Sequence, residues 1–256
     1  MRRSAGAPGL LSRVRWPAAH NPHRVAFDGR GDGLERTGSV PDFYSVTCSF
    51  GFRPREFYGA PLERGRIYQA MDQVSSTGGY NPPFRVFYDH VTERLKVQVW
   101  NETAADADML VAPNTSALRL GEYHYVVIEY VALGQLRYWI DGVLDGTYTS
   151  TYAGPVLGSL ADESSIGTGQ VLIVPRINHY HGDLDDFWLG YNQTPGIDAF
   201  WPRRNLGDTN GDVGYGVPEL FFCGKAADWN AGRHRGTQTG WALTSEAGTG
   251  MEDAQP

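Results

Sequence analysis

The stretch "GEYHYVVIEYVALGQLRYWIDGVLDGTY", residues 121–148, decides the fold. It holds two runs rich in valine, isoleucine and aromatic residues, "EYHYVVIEYV" and "LRYWI", with a short break between them. The second run ends at Asp141-Gly142, after which another strand-like run begins. An Asp-Gly pair between such runs is a strong hairpin signal, because glycine adopts positive φ angles without strain. The stretch therefore predicts consecutive β-strands with a tight hairpin at Asp141-Gly142.

Alternating patterns recur on both sides of this stretch. In "FYSVTCSFGF", residues 43–52, the larger side chains fall on one face and small ones on the other, which predicts a half-buried strand. The residues of the predicted core face are Tyr44, Val46, Cys48, Phe50 and Phe52. "LKVQVW" (95–100) repeats the pattern, and "HGDLDDFWLGYN" (181–192) is the last strand-like run. About nine or ten candidate strands lie between Arg24 and Tyr191 without a convincing amphipathic helix, which predicts a β-sandwich.

Composition agrees with short strands joined by turns. The 256 residues include 32 glycines, 15 prolines and 14 tyrosines. The net charge of −7 excludes a general nucleic-acid binder, and no apolar run approaches the length of a membrane span. Residues 1–24 carry five arginines, three prolines and no acid, so we expect residues 1–23 to form an extended arm. Cys48 falls on a predicted core face and Cys223 stands far from it, which favours a buried free thiol at Cys48.

Three landmarks in the same order resemble a known fold family. "HRVAFDGRGDGLERTG" (23–38) followed by "FYSVTCSFGFRP" (43–54) resembles the opening of a laminin-G-like, concanavalin A-like jelly roll. Residues 121–148 are similar to the centre of that fold, and "YHGDLDDFWLGYN" (180–192) is similar to its last strand. The resemblance covers roughly Arg24 to Asn192 and implies a lectin-like β-sandwich.

The remaining segment resembles a short tail of bacteriophage virion proteins. In that tail a Gly/Asp-rich loop and an apolar run precede two short motifs. The matching residues here are Gly224, Ala226, Trp229 and Asn230, then Arg235, Gly236, Thr237 and Gly240. The resemblance implies a component of a virion, on the surface of the particle.

Carboxylates and histidines raise the question of catalysis and metal binding. Catalytic jelly rolls carry Glu-x-Asp-x-x-Glu on one strand face, and neither this motif nor a Gly-x-Ser-x-Gly elbow occurs. Asp183, Asp185 and Asp186 stand where the family has a structural aspartate, whose carboxylate accepts hydrogen bonds from backbone N–H groups at a strand start, and we expect that role here. His179 and His181 have a spacing that suits a transition metal, but solvent-facing polar residues give the same pattern and are favoured. The sequence predicts no catalytic residue and no enzyme.

Tryptophans on strands suggest a glycan site. Trp100, Trp139 and Trp188 lie on predicted strands, with Trp100 and Trp139 opposite the aliphatic stripe. Exposed aromatic faces stack on sugars. Aromatic residues are also enriched at protein interfaces, so a neighbouring subunit or the C-terminal segment could cover them instead, and this is the favoured interpretation.

A calcium loop is the second metal hypothesis that the sequence raises. Asp208, Asn210, Asp212 and Glu219 occupy positions 1, 3, 5 and 12 of a calcium-loop pattern. Val213 stands where the pattern needs a glycine, Pro218 precedes Glu219, and the flanks do not read as paired helices. We therefore expect a turn-rich connector that needs no ion.

These observations lead to one prediction and one alternative. The predicted architecture is an all-β, concanavalin A-like jelly roll over 24–192, with an N-terminal arm over 1–23 and a C-terminal extension over 193–256. The expected function is that of a non-enzymatic virion structural protein, in capsid decoration or in a tail or fibre. It would form homo-oligomers and contact other virion proteins. The alternative is a carbohydrate-binding module that recognises host surface glycans. Neither nucleic acid nor a membrane is an expected partner.

Overall fold

The computed structural model describes residues 23–55, 64–71, 83–100, 109–150, 154–161, 163–168, 179–201, 211–244 and 250–254. One five-residue α-helix, α1 (Ala226–Asn230), and two 3-10 helices, Gly158–Leu160 and Ile197–Ala199, accompany the strands of this part. The strands are β1 (Val25–Asp28), β2 (Leu34–Thr37), β3 (Ser45–Pro54), β4 (Arg64–Met71), β5 (Phe84–Asp89), β6 (Arg94–Trp100), β7 (Met109–Pro113), β8 (His124–Val131), β9 (Gln135–Ile140), β10 (Val143–Thr149), β11 (Glu163–Ile166), β12 (His181–Tyr191), β13 (Leu220–Phe222), β14 (Ala242–Leu243) and β15 (Glu252–Asp253).

The strands form two antiparallel sheets. Sheet A has the order β10-β9-β8-β3-β12-β1-β15, and β13 pairs with β12 beside this path. Sheet B has the order β14-β2-β11-β4-β5-β6-β7. Apolar side chains from both sheets form one large core cluster between them. The predicted all-β, jelly-roll β-sandwich is confirmed. None of the described helices has the length and apolar character that crossing a membrane requires.

The hairpin at Asp141-Gly142 has the predicted geometry. Asp141 and Gly142 have φ angles of 52° and 81° between β9 and β10, as a two-residue hairpin turn with positive φ at both positions requires. The Asp141 carboxylate accepts a hydrogen bond from the backbone N–H of Tyr125 at 2.8 Å, and its other oxygen lies 2.9 Å from His124 Nδ1. These contacts tie the turn to the start of β8.

The prediction that β3 is half-buried is wrong. Its core face is buried as expected, but Ser45, Thr47 and Ser49 on the opposite face are buried too. Tyr44, predicted on the core face, precedes the strand and is 59% exposed. The outer face is buried because the chain after β12 returns across it, and Thr47 Oγ1 donates a hydrogen bond to the backbone oxygen of Gln193 at 2.8 Å.

A second apolar cluster lies on the outer face of sheet A. Val127 of β8 and Trp139 of β9 pair across the sheet there, opposite the core residues of the same strands. The cluster consists of Tyr125, Val127, Trp139, Trp188, Phe200 and Phe221, with Ile197, Ala199, Trp201, Val213 and Cys223 packed against it. Residues after 192 supply more than half of these side chains, so the C-terminal extension covers this face.

The C-terminal extension also adds strands to the sandwich. β13 pairs with β12, β14 pairs with β2 of sheet B, and β15 pairs with β1 of sheet A. Trp229 of α1 is fully buried, with its ring 6.0 Å from that of Phe27 and 5.0 Å from that of Phe222. The described part of the extension is therefore one structural unit with the sandwich. Cys48 and Cys223 are both free thiols.

Candidate functional site

A polar cleft of about 300 Å³ opens at the rim of the sandwich, where β1 ends and β12 begins. β15 forms another wall, and residue 55, directly after β3, contributes a further side chain. We call it the rim cleft. Its charged and titratable lining residues are Asp28, Arg30, Asp32, Arg55, His181 and Glu252.

The turn after β1 shapes one wall of the rim cleft. Asp28 pairs with His181 in the ladder between β1 and β12. Gly29 follows with a φ of 74°, and a Cβ there would lie 2.8 Å from the Cβ of His181, so only glycine lets the turn pass this close. Asp28 Oδ1 then accepts a hydrogen bond from the backbone N–H of Arg30 at 2.6 Å. Asp32 Oδ2 accepts one from the backbone N–H of Asp28 at 3.2 Å.

Asp32 is the most unusual side chain of the rim cleft. It is only 3% exposed, and its Oδ1 has no hydrogen-bond partner within the described part of the chain. Burial raises the pKa of its carboxyl from 3.8 to about 6, with further contributions from the charges of Asp28 and Glu252. A buried acceptor without a partner is unfavourable in the folded protein. A ligand that donates a hydrogen bond to Asp32 would remove this penalty.

Arg53 and Arg55, at the end of β3 and directly after it, form ion pairs with a carboxylate other than Asp32. Asp183 on β12 is fully buried and lies 2.5 Å from Arg53 Nη2 and 2.6 Å from Arg55 Nη2. Asp185 accepts a hydrogen bond from the Tyr123 hydroxyl at 2.8 Å. In these contacts the donors are side chains, rather than the backbone N–H groups expected for the aspartates of "HGDLDD".

The two histidines of "NHYHGD" do not behave as solvent-facing residues. His179 is buried, whereas His181 lines the rim cleft. Among the described residues, no group of three His, Cys, Asp or Glu side chains has a geometry that could hold a metal ion. The prediction that His179 faces solvent is wrong, because His179 and Tyr180, the two residues directly before β12, are both buried.

The three tryptophans proposed for glycan stacking have no open face. Trp188 is fully buried, and its Nε1 donates a hydrogen bond to the backbone oxygen of Gly211 at 2.7 Å. Trp139 is 9% exposed within the same outer cluster, and Trp100 is 7% exposed at the end of β6 in the other sheet. The hypothesis of an exposed aromatic row is wrong. For Trp139 and Trp188 the alternative is correct, since the C-terminal segment covers them.

The calcium hypothesis concerns Asp208, Asn210, Asp212 and Glu219. The first two lie outside the described residues. Asp212 Oδ1 accepts hydrogen bonds from the backbone N–H groups of Gly214 at 2.7 Å and Gly216 at 3.1 Å. Glu219 Oε2 accepts one from the backbone N–H of Tyr191 at 2.9 Å, and burial raises the pKa of its carboxyl. Both described carboxylates therefore stabilise chain turns and pairings.

Residues of the virion-like motif serve packing. Trp229 is in the core, and Asn230 holds β15 in place: its Nδ2 donates to the backbone oxygen of Met251 at 2.8 Å, and its Oδ1 accepts from Met251 N–H at 3.0 Å. A Cβ on Gly236 would lie 2.5 Å from the backbone oxygen of Glu219, so this position requires glycine. The motif therefore describes how the tail packs on the sandwich.

Sequence reasoning missed the residues of the rim cleft. In the sequence, "DGRGD" (28–32) stands out only as a fold landmark, and Glu252 is more than 200 residues away in the chain. The available signal was two aspartates four positions apart in a glycine-rich turn directly after a strand. Such a turn places two carboxylates at the end of a sheet. The position of the third, Glu252, depends on the pairing of β15 with β1, which the sequence does not show.

Comparison with known proteins bears only on the fold. No protein-family model and no curated protein matches the chain. Among solved structures, a heptameric SAP-like pentraxin from Limulus polyphemus is 14% identical, with a TM-score of 0.47 over 68% of this chain and 78% of its own. The botulinum neurotoxin serotype D ligand binding domain in complex with N-acetylneuraminic acid is 12% identical, with a TM-score of 0.49 over 73% of this chain and 42% of its own. Mouse laminin alpha1 domains LG4-5 are 14% identical, with a TM-score of 0.45 over 77% of this chain and 48% of their own. The chain thus spans less than half the length of the last two.

Proposed function

We propose that this chain is a non-enzymatic binding domain and that the rim cleft holds a saccharide. The observation that carries the proposal is Asp32, a buried carboxylate at the cleft with one oxygen lacking a hydrogen-bond partner in the described part of the chain. Sugar hydroxyls are hydrogen-bond donors at close spacing, so one of them can satisfy Asp32 while a second reaches Asp28 or Glu252. The volume of about 300 Å³ is at the lower end of ligand pockets and suits one sugar unit of a chain.

The turn after β1 does not offer Asp28 and Asp32 as a hydrolytic pair. Glycoside hydrolysis requires two carboxylates on opposite sides of the bond that breaks. Asp28 and Asp32 instead belong to one turn, and each accepts a backbone hydrogen bond within that turn. This arrangement holds both carboxylates on the same wall. Release of reducing ends from a bound oligosaccharide would contradict the non-enzymatic part of the proposal.

The proposal is tested on a glycan array, followed by calorimetric titration of the sugars that bind. We expect Asp32→Ala to weaken binding by about tenfold or more, since a charge-assisted hydrogen bond is lost. The matched control is Asp198→Ala, which removes an exposed carboxylate from the 3-10 helix over the outer face of sheet A. The array carries neutral, acidic and amino sugars. Absence of binding to all of them at millimolar equivalent concentration would overturn the proposal.

A second candidate function is that of a structural component on the surface of a bacteriophage particle. Its support is the resemblance of the tail motif and an exposed apolar edge at β10, where Val143 is 68% and Leu144 54% exposed. Such an edge can contact a second copy of the chain or another virion protein. Deleting residues 1–23 should leave a folded protein that no longer assembles. Val143→Lys should abolish homo-oligomers in light scattering if the β10 edge is the contact.

A further inference from the structure

The rim cleft is an acidic site around one buried group. Asp28 from the turn after β1 and Glu252 from β15 are the charges that act most strongly on Asp32. Two arginines also line the cleft: Arg55 pairs with Asp183 at 2.6 Å, and Arg30 is exposed. His181 on β12 completes the set of titratable groups that line the cleft.

Asp32 distinguishes this site from an ordinary acidic surface. The residue is only 3% exposed although it lines the cleft, and its Oδ1 has no hydrogen-bond partner among the described residues. A neutral hydroxyl can donate a hydrogen bond to this oxygen but leaves the negative charge of the site uncompensated. A protonated amine donates the same hydrogen bond and also supplies a positive charge, which compensates the negative charge of the carboxylates around it.

We infer that the group that enters beside Asp32 is a protonated amine, so that the ligand is a saccharide with free amino groups. This inference rests on the proposed function and specifies its ligand. The amine nitrogen donates to Asp32 Oδ1, while Asp28 and Glu252 accept from its remaining hydrogens or from a neighbouring hydroxyl. N-acetylation would remove the charge and add bulk at the same atom, so the acetylated sugar should be rejected.

The probes are the tetramer of glucosamine and the tetramer of N-acetylglucosamine, titrated calorimetrically into the full chain at pH 7.0. These ligands share a backbone and differ in the charge and size of one substituent. We expect the glucosamine tetramer to bind at least about tenfold more tightly.

Two variants separate specific from general attraction, since a chain with a net charge of −7 attracts any polycation. Asp32→Asn should remove the preference for the glucosamine tetramer, whereas Asp198→Asn, with the same loss of charge at an exposed site, should keep it. Equal affinity for both tetramers overturns this inference and leaves the proposed function standing. A preference that survives Asp32→Asn also overturns it. Absence of binding to either tetramer together with a blank glycan array overturns both.

Discussion

Replacing Asp32 with asparagine should make the protein more stable at neutral pH. The folded state raises the pKa of this carboxyl from 3.8 to about 6, so it binds the proton more tightly than the unfolded chain does. The stability due to that proton is complete below pH 3.8 and is lost as the pH rises through 6. A shift of about two pKa units corresponds to about 3 kcal/mol. Ionised Asp32 therefore lowers the free energy of unfolding by up to about 3 kcal/mol at pH 7.5.

Asparagine keeps an oxygen that can accept the hydrogen bond from Asp28 N–H and carries no charge at any pH. At pH 7.5 we expect Asp32→Asn to raise the free energy of unfolding by up to about 3 kcal/mol, or the melting temperature by about 6–12 °C for a chain of this size. Below pH 4 the variant and the parent should be equally stable. Scanning calorimetry and urea titration at pH 4, 5, 6 and 7.5 measure the difference, with Asp198→Asn as the control.

A variant that is no more stable than the parent at pH 7.5 would refute this reasoning. It would show that Asp32 already has a favourable partner in the folded protein. The same result would remove the physical basis for a donor ligand, because the cleft would then contain no unsatisfied acceptor. The stability measurement therefore tests the site before any ligand is known.

Three further predictions concern the fold. Asp183→Asn leaves Arg53 and Arg55 without their buried counter-charge, and we expect urea titration to show a loss of about 3 kcal/mol; an unchanged midpoint contradicts the role of this ion pair. Gly236→Ala places a Cβ 2.5 Å from the backbone oxygen of Glu219 and should cost about 1–3 kcal/mol of stability. The control Gly154→Ala places a Cβ with no described heavy atom within 4 Å and should leave the stability unchanged. Equal losses of stability in the two variants would contradict the steric explanation. The melting temperature in millimolar calcium should differ by less than about 1 °C from that in chelator. An ion that binds only the folded state would instead raise the free energy of unfolding by about 2.7 kcal/mol at a concentration a hundredfold above its Kd. A calcium-dependent rise that Asp212→Ala abolishes would show that this prediction is wrong.

Strands and the hairpin could be predicted because their signals are local. Alternation in residues 43–52 identified Val46, Cys48, Phe50 and Phe52 as a core face, and Asp141-Gly142 identified the turn. The same alternation could not show that the opposite face is buried as well. A period of two tells which side chains share a face but not what packs on it. The cover comes from residues beyond 192, and Trp188 illustrates the difference, since its strand was predicted and its contact with Gly211 was not.

The site depended even more on long-range pairing. The turn from Asp28 to Asp32 is visible in the sequence as "DGRGD", yet nothing local shows that Asp32 is buried. Burial arises where β1 meets β12 and β15, which bring together residues from the two ends of the chain. The raised pKa of Asp32 follows from that burial, so no composition or spacing rule could have singled it out. The tryptophans, in contrast, were predicted as site residues from residue type alone and are packing residues in the structure.

The position of β15 gives a last prediction that links the tail to the site. β15 pairs with β1 through Glu252 and Asp253, and Asp253 Oδ1 also accepts a hydrogen bond from Ala226 N–H. The residue before it, Met251, exchanges two backbone hydrogen bonds with the Asn230 side chain. Asn230→Ala removes both, and we expect β15 to detach from β1 and to take Glu252 away from the cleft. The pKa of Asp32 should then fall from about 6 toward its ordinary value, because one of the charges that raise it has left and solvent enters.

Hydrogen exchange should show faster exchange at residues 252–254 in this variant, and the affinity for an amino sugar should drop although the core stays folded. Asn192→Ala is the matched control, since Asn192 makes an equivalent pair of side-chain hydrogen bonds. Its Oδ1 accepts from Tyr44 N–H and its Nδ2 donates to the backbone oxygen of Asp42, at the start of β3, whereas the rim cleft lies at the end of that strand. Both variants lose the same kind of contact, and only Asn230 contacts a wall of the cleft. Suppose that Asn192→Ala lowers the affinity for the amino sugar as much as Asn230→Ala does. The loss would then reflect general destabilisation, and the attachment of β15 would not contribute specifically to sugar binding.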